Sequence, residues 1–240
     1  MRGQVVDSFA TTAPASRLPA DAMKVPFFVG EKLEYEVKFG AIKVGSGSME
    51  VLDIEDVRGR STWHTLFRVQ GSIPFFHVDD RQESWFDVVS LTSRRFHQDL
   101  EEGNYKPHRH FEFYTERGMY QKNDEPEVPT VPDPLDEGSF LYFVRTLPLE
   151  VGKTYSFSRY FDTAANPIKI TVLRRETIQT PAGKFNTVVL QPSFRQKGMF
   201  SDAQIWISDD DAHVMVQMKS RLTFGSLNLY LRSHNTKAGS

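Results

Sequence analysis

The stretch DPLDEGSFLYFVRTL, residues 133–147, is the one predicted helix in a sequence otherwise made of β-type segments. Asp133 can cap a helix, Pro134 suits the first helical position, and Pro148 ends the helix because proline displaces the preceding residue from the α region. Apolar residues recur at i, i+3, i+4 and i+7 and predict one buried stripe, formed by Phe140, Phe143, Val144 and Leu147. We therefore expect a short helix that packs on a sheet or plugs an open end of it.

The segments on both sides of this helix alternate in the manner of β-strands. In residues 31–39, Leu33, Tyr35, Val37 and Phe39 fall on one side and charged residues on the other, which is typical of a strand with one face in water. The small residues at 45–48 predict a bulge or a close backbone approach. Comparable runs recur at ~8–12-residue spacing between turn signals. The sequence predicts an all-β fold, a single antiparallel β-roll or half-barrel of about ten to twelve strands with one short helix, 133–147.

One β-roll domain is predicted over residues 26–234. Its halves, 26–122 and 150–234, are joined by a proline-rich acidic linker and the helix, together residues 123–149. Residues 235–240 form a C-terminal tail.

Residues 1–25 are rich in Ala, Thr, Ser and Pro, and this composition cannot bury a core of its own. We expect a low-complexity tail that either docks on a partner or folds back on its own domain. Its candidate docking residues are Val5, Val6, Phe9 and Leu18.

Composition excludes several classes of function. The net charge of −2, with acidic and basic residues mixed along the chain, gives no basis for nucleic-acid binding. The absence of cysteine excludes disulfides, thiol catalysis and cysteine metal sites. No apolar run approaches the ~20 residues of a membrane span, and no signal-peptide pattern is visible.

Two groups of side chains were weighed for chemistry. His108 and His110 lie two apart in a predicted strand, so both imidazoles point to one side, as a metal site could use. Phenylalanines occupy the opposite parity, which favours a solvated histidine face instead. Asp79, Asp80 and Glu83 could offer paired carboxylates for acid–base catalysis, but a charged strand entry is the favoured interpretation.

Other catalytic signals are missing. Asp209, Asp210 and Asp211 lack the alternating spacing and glycine of a calcium loop, which favours a polar turn. No phosphate loop, dinucleotide fingerprint, nucleophile elbow or zinc-protease motif is present. We therefore expect a non-enzymatic protein without catalytic residues, metal or cofactor.

Four longer phrases carry a family resemblance. They are FFVGEKLEYEVKFGAIKVGSGSMEV (27–51), DPLDEGSFLYFVRTLPLEVGKTYSF (133–157), TPAGKFNTVVLQPSF (180–194) and MKSRLTFGSLNLYL (218–231). Together they resemble the bacterial family catalogued as domain of unknown function 3108, over residues 26–232. The resemblance implies an antiparallel β-roll or half-barrel that is exported to the periplasm or outer envelope, usually behind a signal peptide. It implies no activity and no catalytic residues.

Two functions follow as expectations. In the first, the protein is an envelope scaffold or binding protein that docks as an accessory subunit on a larger, membrane-bound assembly. In the second, the curved sheet carries an apolar, lipid-like ligand under the helix, with Phe140 and Phe143 as a lid or plug. An empty cavity beneath Phe140, Phe143 and Leu147 would favour the carrier, and a filled interior would favour the scaffold.

Overall fold

A computed structural model describes residues 18–73, 76–194, 203–222 and 225–235. These residues form one open antiparallel sheet of fourteen strands that curves around a single α-helix. The first eight strands are β1 (Lys32–Phe39), β2 (Ile42–Asp56), β3 (Ser61–Ile73), β4 (Phe76–Asp87), β5 (Ser93–Asp99), β6 (His108–Tyr114), β7 (Met119–Lys122) and β8 (Val128–Pro129). After helix α1 (Glu137–Val144) come β9 (Thr154–Phe157), β10 (Ile168–Thr180), β11 (Gly183–Ser193), β12 (Ala203–Ser208), β13 (Met215–Leu222) and β14 (Gly225–His234).

The sheet consists of two meanders that meet in its middle. Strands β1 to β8 run outward in sequence on one side, and β14 back to β9 on the other. The join is the β1–β14 pair, in which Tyr35 lies opposite Leu231 and Val37 opposite Leu229. Helix α1 follows one edge strand, β8, and precedes the other, β9. The chain therefore crosses from edge to edge through the interior, where Leu135 forms a parallel bridge to Tyr160.

The alternation predicted for the first strand is confirmed. Leu33, Tyr35 and Val37 are each at most 1% exposed, whereas their charged neighbours reach solvent. The close approach predicted at 45–48 is also confirmed, because a Cβ on Gly45 would lie 1.8 Å from the carbonyl oxygen of Gln70. Only glycine allows the β2 and β3 backbones to come this near.

The number of strands and the bounds of the helix required correction. Fourteen strands exceed the predicted ten to twelve, because short elements without alternation escape pattern analysis, such as the two-residue β8 inside the proline-rich linker. The helix spans Glu137–Val144, not 133–147, so Asp133 and Pro134 precede it and Leu147 follows it. Its cap is Asp136, which forms a reciprocal capping box with Ser139, the third residue of the helix.

Candidate functional site

Helix α1 fills the interior of the curved sheet. The four residues predicted to form its apolar stripe are buried: Phe140 is 2% exposed, Phe143 8%, Val144 2% and Leu147 8%. Phe143 meets the Phe157 ring edge-on at 5.0 Å, so aromatic side chains occupy the space around the helix. The residues from Gly138 to Val144 are all buried, so the helix is enclosed on every side. The role of these side chains toward a ligand stays a prediction.

The N-terminus of α1 is held by a buried carboxylate. Asp136 is fully buried and accepts hydrogen bonds from the Oγ atoms of Ser84 at 2.7 Å and Ser93 at 2.6 Å. Its other oxygen accepts the backbone N–H of Ser139 at 2.9 Å. Burial raises the pKa of Asp136, and the serine and backbone donors oppose that rise. This cluster attaches the start of the helix to β4 and β5.

The other end of α1 is held by a buried ion pair. Arg145, 1% exposed, donates two hydrogen bonds to the Glu31 carboxylate, at 2.6 and 2.9 Å. The same guanidinium donates to the carbonyl oxygens of Pro26 and Ala212, at 3.3 and 3.0 Å. The pair therefore joins the helix to the start of β1 and to the β12–β13 turn. Sequence analysis did not predict this ion pair, because Arg145 lies 114 residues after Glu31 and no local pattern links the two.

Residues 18–31, here called the strap, close one end of the sheet. The N–H of Met23 donates to the Val88 carbonyl at 2.8 Å, and that of Gly30 to the Val51 carbonyl at 2.8 Å. Between these two points Phe27 inserts into the core and packs against Trp63 and Tyr142, at 5.1 and 4.9 Å between ring centres.

Apolar side chains are exposed along this end of the sheet. On the strap, Leu18 is 45% exposed, Met23 40% and Val29 44%. Leu52 and Val89 are 36% and 42% exposed, and each follows a residue to which the strap is hydrogen-bonded. Leu18, one of the predicted docking residues, is therefore exposed to solvent.

The other predicted docking residues, Val5, Val6 and Phe9, lie outside the described part of the chain.

The carboxylates predicted as a possible catalytic group are separated by the sheet. Asp79 and Glu83 lie on the outer face, where Arg68 lowers the pKa of Asp79 and His64 holds that of Glu83 at about 2. Asp80 lies opposite Val69 on the inner face. Burial, together with the nearby Glu102, raises the pKa of Asp80 to about 7. Asp80 therefore faces away from the other two carboxylates, because successive strand residues face opposite ways. Asp79 and Glu83 are four residues apart and bond different partners, Arg68 and His64.

On the outer face, His64 belongs to a polar network that the sequence did not reveal. Its Nδ1 lies 2.8 Å from a Glu55 oxygen and its Nε2 lies 2.9 Å from a Glu83 oxygen. The indole N–H of Trp85 donates to Glu55 at 2.8 Å, and the imidazole stacks on the indole at 4.2 Å. Every polar group named here has a partner, so the network stabilises the sheet face.

The two histidines weighed for metal binding are exposed, and each contacts a different neighbour. His108 lies 2.8 Å from an Asp99 oxygen, and His110 stacks on His97 at 4.2 Å. Across the described ranges, no three histidine or acidic side chains are grouped so as to hold a metal ion. The aspartates at 209–211 lie in an exposed turn between β12 and β13, as predicted.

A second perturbed carboxyl lies at the start of α1. The hydroxyl of Tyr160 donates to Glu137 Oε1 at 2.7 Å, while Oε2 is buried without a hydrogen-bond partner in the described structure. Burial raises the pKa of Glu137 to about 7, against the opposing effects of Tyr160 and Arg109. This environment does not follow from the sequence, because Tyr160 lies 23 residues further along the chain.

The structure also contains an open pocket of about 470 Å³ on the second meander, away from α1. Gln204, Lys219 and Asn228 point to the outer face there, because their chain neighbours Ile205 and Leu229 belong to the core. The residues that line the pocket are Gln191, Gln204, Lys219, Ser220, Ser226, Asn228 and Tyr230. This pocket was not predictable from sequence patterns, because its lining comes from four strands.

Among the described residues, no helix has the length and apolarity needed to span a bilayer.

Comparison with solved structures identifies the fold. The β-barrel-like protein of domain of unknown function DUF1849 from Brucella abortus superimposes with a TM-score of 0.57 at 10% identity, over 90% of this chain and 100% of that one. A candidate lipoprotein from Parabacteroides distasonis ATCC 8503 matches at 11% identity with a TM-score of 0.33, over 88% of this chain and 98% of that one. A candidate exported protein with a YmcC-like fold from Bacteroides fragilis NCTC 9343 matches at 11% identity with a TM-score of 0.32, over 89% of this chain and 99% of that one.

No curated protein matches the chain. The model of the family described as "Protein of unknown function (DUF3108)" matches residues 34–232, which cover most of the sheet and all of α1. The chain therefore belongs to the DUF3108 family.

Proposed function

We propose that this protein is a non-enzymatic scaffold of the bacterial envelope that docks as an accessory subunit on a larger, membrane-bound assembly. The observation that carries the proposal is the row of exposed apolar side chains at the strap end of the sheet. Met23, Val29 and Leu52 are each at least 36% exposed and lie on or beside the strap. Apolar side chains gathered on one part of a surface are typical of protein interaction sites.

The position of the strap supports the same function. Residues 1–17, with the apolar Val5, Val6 and Phe9, lead directly into Leu18, so the tail and the exposed end can act on one partner. The strap is itself well supported, because Phe27 anchors it in the core and Arg145 bonds the Pro26 carbonyl. A rigid support lowers the ordering cost of docking.

The filled interior supports scaffolding more than carriage of a lipid. Phe140 is 2% exposed and Leu147 8%, so the helix occupies the space that an apolar ligand would need. The perturbed carboxyls Asp80 and Glu137 support no catalysis either. In the described structure, the bonds to their carboxylates come from the Glu101 backbone and the Tyr160 hydroxyl, not from a nucleophile or a histidine.

The test is affinity purification of the tagged protein from native membranes, with mass spectrometry of proteins and extracted lipids. We expect membrane subunits in stoichiometric amounts, and we expect Val29→Lys to lower their recovery about tenfold, because a buried unpaired charge opposes docking. Ile42→Lys is the matched control, since Ile42 is 69% exposed and begins β2 at its opposite end.

Three results would count against docking at the strap: recovery of the protein alone, equal loss with both variants, or no loss with either. A defined lipid bound to a clean monomer would instead identify the protein as an apolar-ligand carrier and α1 as its lid.

A further inference from the structure

The polar pocket on the second meander is built as a row across adjacent strands. Gln204 of β12 lies opposite Lys219 of β13, and Lys219 lies opposite Asn228 of β14. The row extends onto β11. Leu190 of β11 pairs with Ile205 of β12, so the next residue, Gln191, lies beside Gln204 on the same face of the sheet. Directly opposed side chains in an antiparallel sheet have Cβ atoms about 5 Å apart, so these groups can contact one small ligand together.

Most polar groups in this row have no partner in the described structure. The side chains of Gln191, Gln204 and Tyr230 make no hydrogen bond to any described residue. Lys219 has no described carboxylate within ion-pair distance; it lies over the Trp206 ring at 5.1 Å, and its charge contributes to the lowered pKa of Glu176. This contrasts with the outer face of the first meander, where charges and histidines bond to one another.

Asn228 supplies the second observation. It is only 5% exposed, its Nδ2 donates to Ser226 Oγ at 3.1 Å, and its Oδ1 has no hydrogen-bond partner among the described residues. A buried amide oxygen without a hydrogen-bond partner destabilises the folded state, so such an oxygen is unusual unless a ligand or water bonds to it.

The chemistry of the lining selects the ligand. Each side-chain amide can donate and accept hydrogen bonds, and so can the serine and tyrosine hydroxyls. Such a lining is complementary to a ligand rich in hydroxyl groups, which also donate and accept. Lys219 is the cation among the described lining residues, and none of them is acidic. Nearby Lys38, over the Tyr230 ring at 5.2 Å, is paired with Glu36 at 3.1 Å.

We propose that this pocket binds a carbohydrate that carries one acidic group, with the amides on its hydroxyls and Lys219 on its carboxylate. The volume of about 470 Å³ falls in the range of about 300–1,000 Å³ of small-molecule sites. An extended peptide is a poorer match, because β12 and β13 are paired on both sides and offer no free edge for strand addition.

The site is independent of the docking function. The pocket lies on the outer face near residues 226–230, which pair with the C-terminal half of β1, whereas the strap joins β1 at its N-terminal end. A failure of docking therefore leaves this inference standing, and the reverse also holds.

The test uses the purified full chain and isothermal titration with D-glucuronate and D-glucose, backed by amide chemical-shift mapping. We expect glucuronate to bind with a millimolar or lower Kd, with the largest shifts in β12–β14. Lys219→Gln should weaken glucuronate about tenfold and leave glucose unchanged, because it removes a charge-assisted hydrogen bond. Gln204→Leu should weaken both sugars, and the matched control Lys169→Gln, an exposed lysine on β10, should change neither.

Several results would overturn the carbohydrate site. These are no binding of either sugar at about 50 mM, a concentration that detects millimolar sites, shifts outside the pocket, or equal affinity of Lys219→Gln and the wild type for glucuronate. Tighter binding of an uncharged Ser-Gly repeat peptide, with the same sensitivity to Gln204→Leu, would assign the pocket to a peptide instead.

Discussion

Glu137 shows how one carboxyl can differ from its neighbours in the same turn. It lies in the first turn of α1, where negative charge favours the helix, but burial raises its pKa to about 7. Between 4.5, its ordinary pKa, and about 7, the folded state holds a proton that the unfolded chain has released. The free energy of unfolding therefore falls as pH rises through this window and is flat above it.

The wild-type protein should lose about 3 kcal/mol of unfolding free energy between pH 4.5 and about 7 through Glu137. We expect Glu137→Gln to abolish this loss, because glutamine does not ionise. The measurement is urea unfolding of both proteins at several pH values across this window. Glu34→Gln is the control, since Glu34 is 45% exposed and should keep the wild-type slope. An unchanged slope in Glu137→Gln would show that water reaches the carboxyl.

Single residues were predictable from sequence where their surroundings are local. The burial of Leu33, Tyr35 and Val37 follows from alternation alone, because strand geometry sends every second side chain to one face. The roles of Glu31 and Glu137 did not follow, because charged residues are usually solvated and their partners lie far along the chain.

At the scale of elements, α1 depends on a glycine that helix propensity would disfavour. Gly138 lies where the helix touches β4, and a Cβ there would come 2.8 Å from the Cβ of Ser84. Both of those atoms would be rigidly attached to backbone. The glycine allows Asp136 to reach the Ser84 hydroxyl.

We expect Gly138→Ala to destabilise the protein by about 1–3 kcal/mol, although alanine gains about 1 kcal/mol in helix propensity. The measurement is urea unfolding of Gly138→Ala, Ser84→Gly and the double variant. The double variant should be more stable than the sum of the single effects predicts, because removing the Ser84 Cβ relieves the overlap. Strict additivity would contradict this packing.

The elements themselves were mostly predictable and their ends less so. Alternation and turn residues located the long strands, such as β1, β3 and β11. The helix was predicted to begin at Asp133, because DP at a helix start is a strong local signal, yet the serines of β4 and β5 select Asp136 as the cap. That choice is made by tertiary contacts, which local sequence does not contain.

At the scale of the whole molecule, one buried ion pair joins three distant parts of the chain: the end of α1, the strap with the start of β1, and the β12–β13 turn. Arg145 bonds Glu31 at the start of β1, Pro26 in the strap and Ala212 after β12. Neither charge is more than 2% exposed. The order of the strands was equally beyond the sequence, because the β1–β14 pair is set by contacts almost a full chain length apart.

We expect Arg145→Met and Glu31→Leu each to lose about 3–5 kcal/mol of unfolding free energy, because each leaves a buried charge unpaired. The double variant should lose less than the sum of the two, since no charge then remains. Urea unfolding measures all three. Lys153→Met is the control, since its partner Glu150 is 55% exposed and such surface pairs contribute about 0–1 kcal/mol. Additive losses would show that the carbonyl contacts, and not the charge pair, dominate.

The meeting of β1 and β14 in the middle of the sheet sets an order of events for the newly made chain. The first strand to emerge, Lys32–Phe39, must keep one side unpaired until the last strand, Gly225–His234, has arrived. A growing chain thus presents an open edge on the strand that later lies at the centre of the sheet, and such an edge is a template for mispairing. Any truncation upstream of Gly225 makes that vulnerability permanent, so the integrity of the C-terminus protects the oldest strand of the protein.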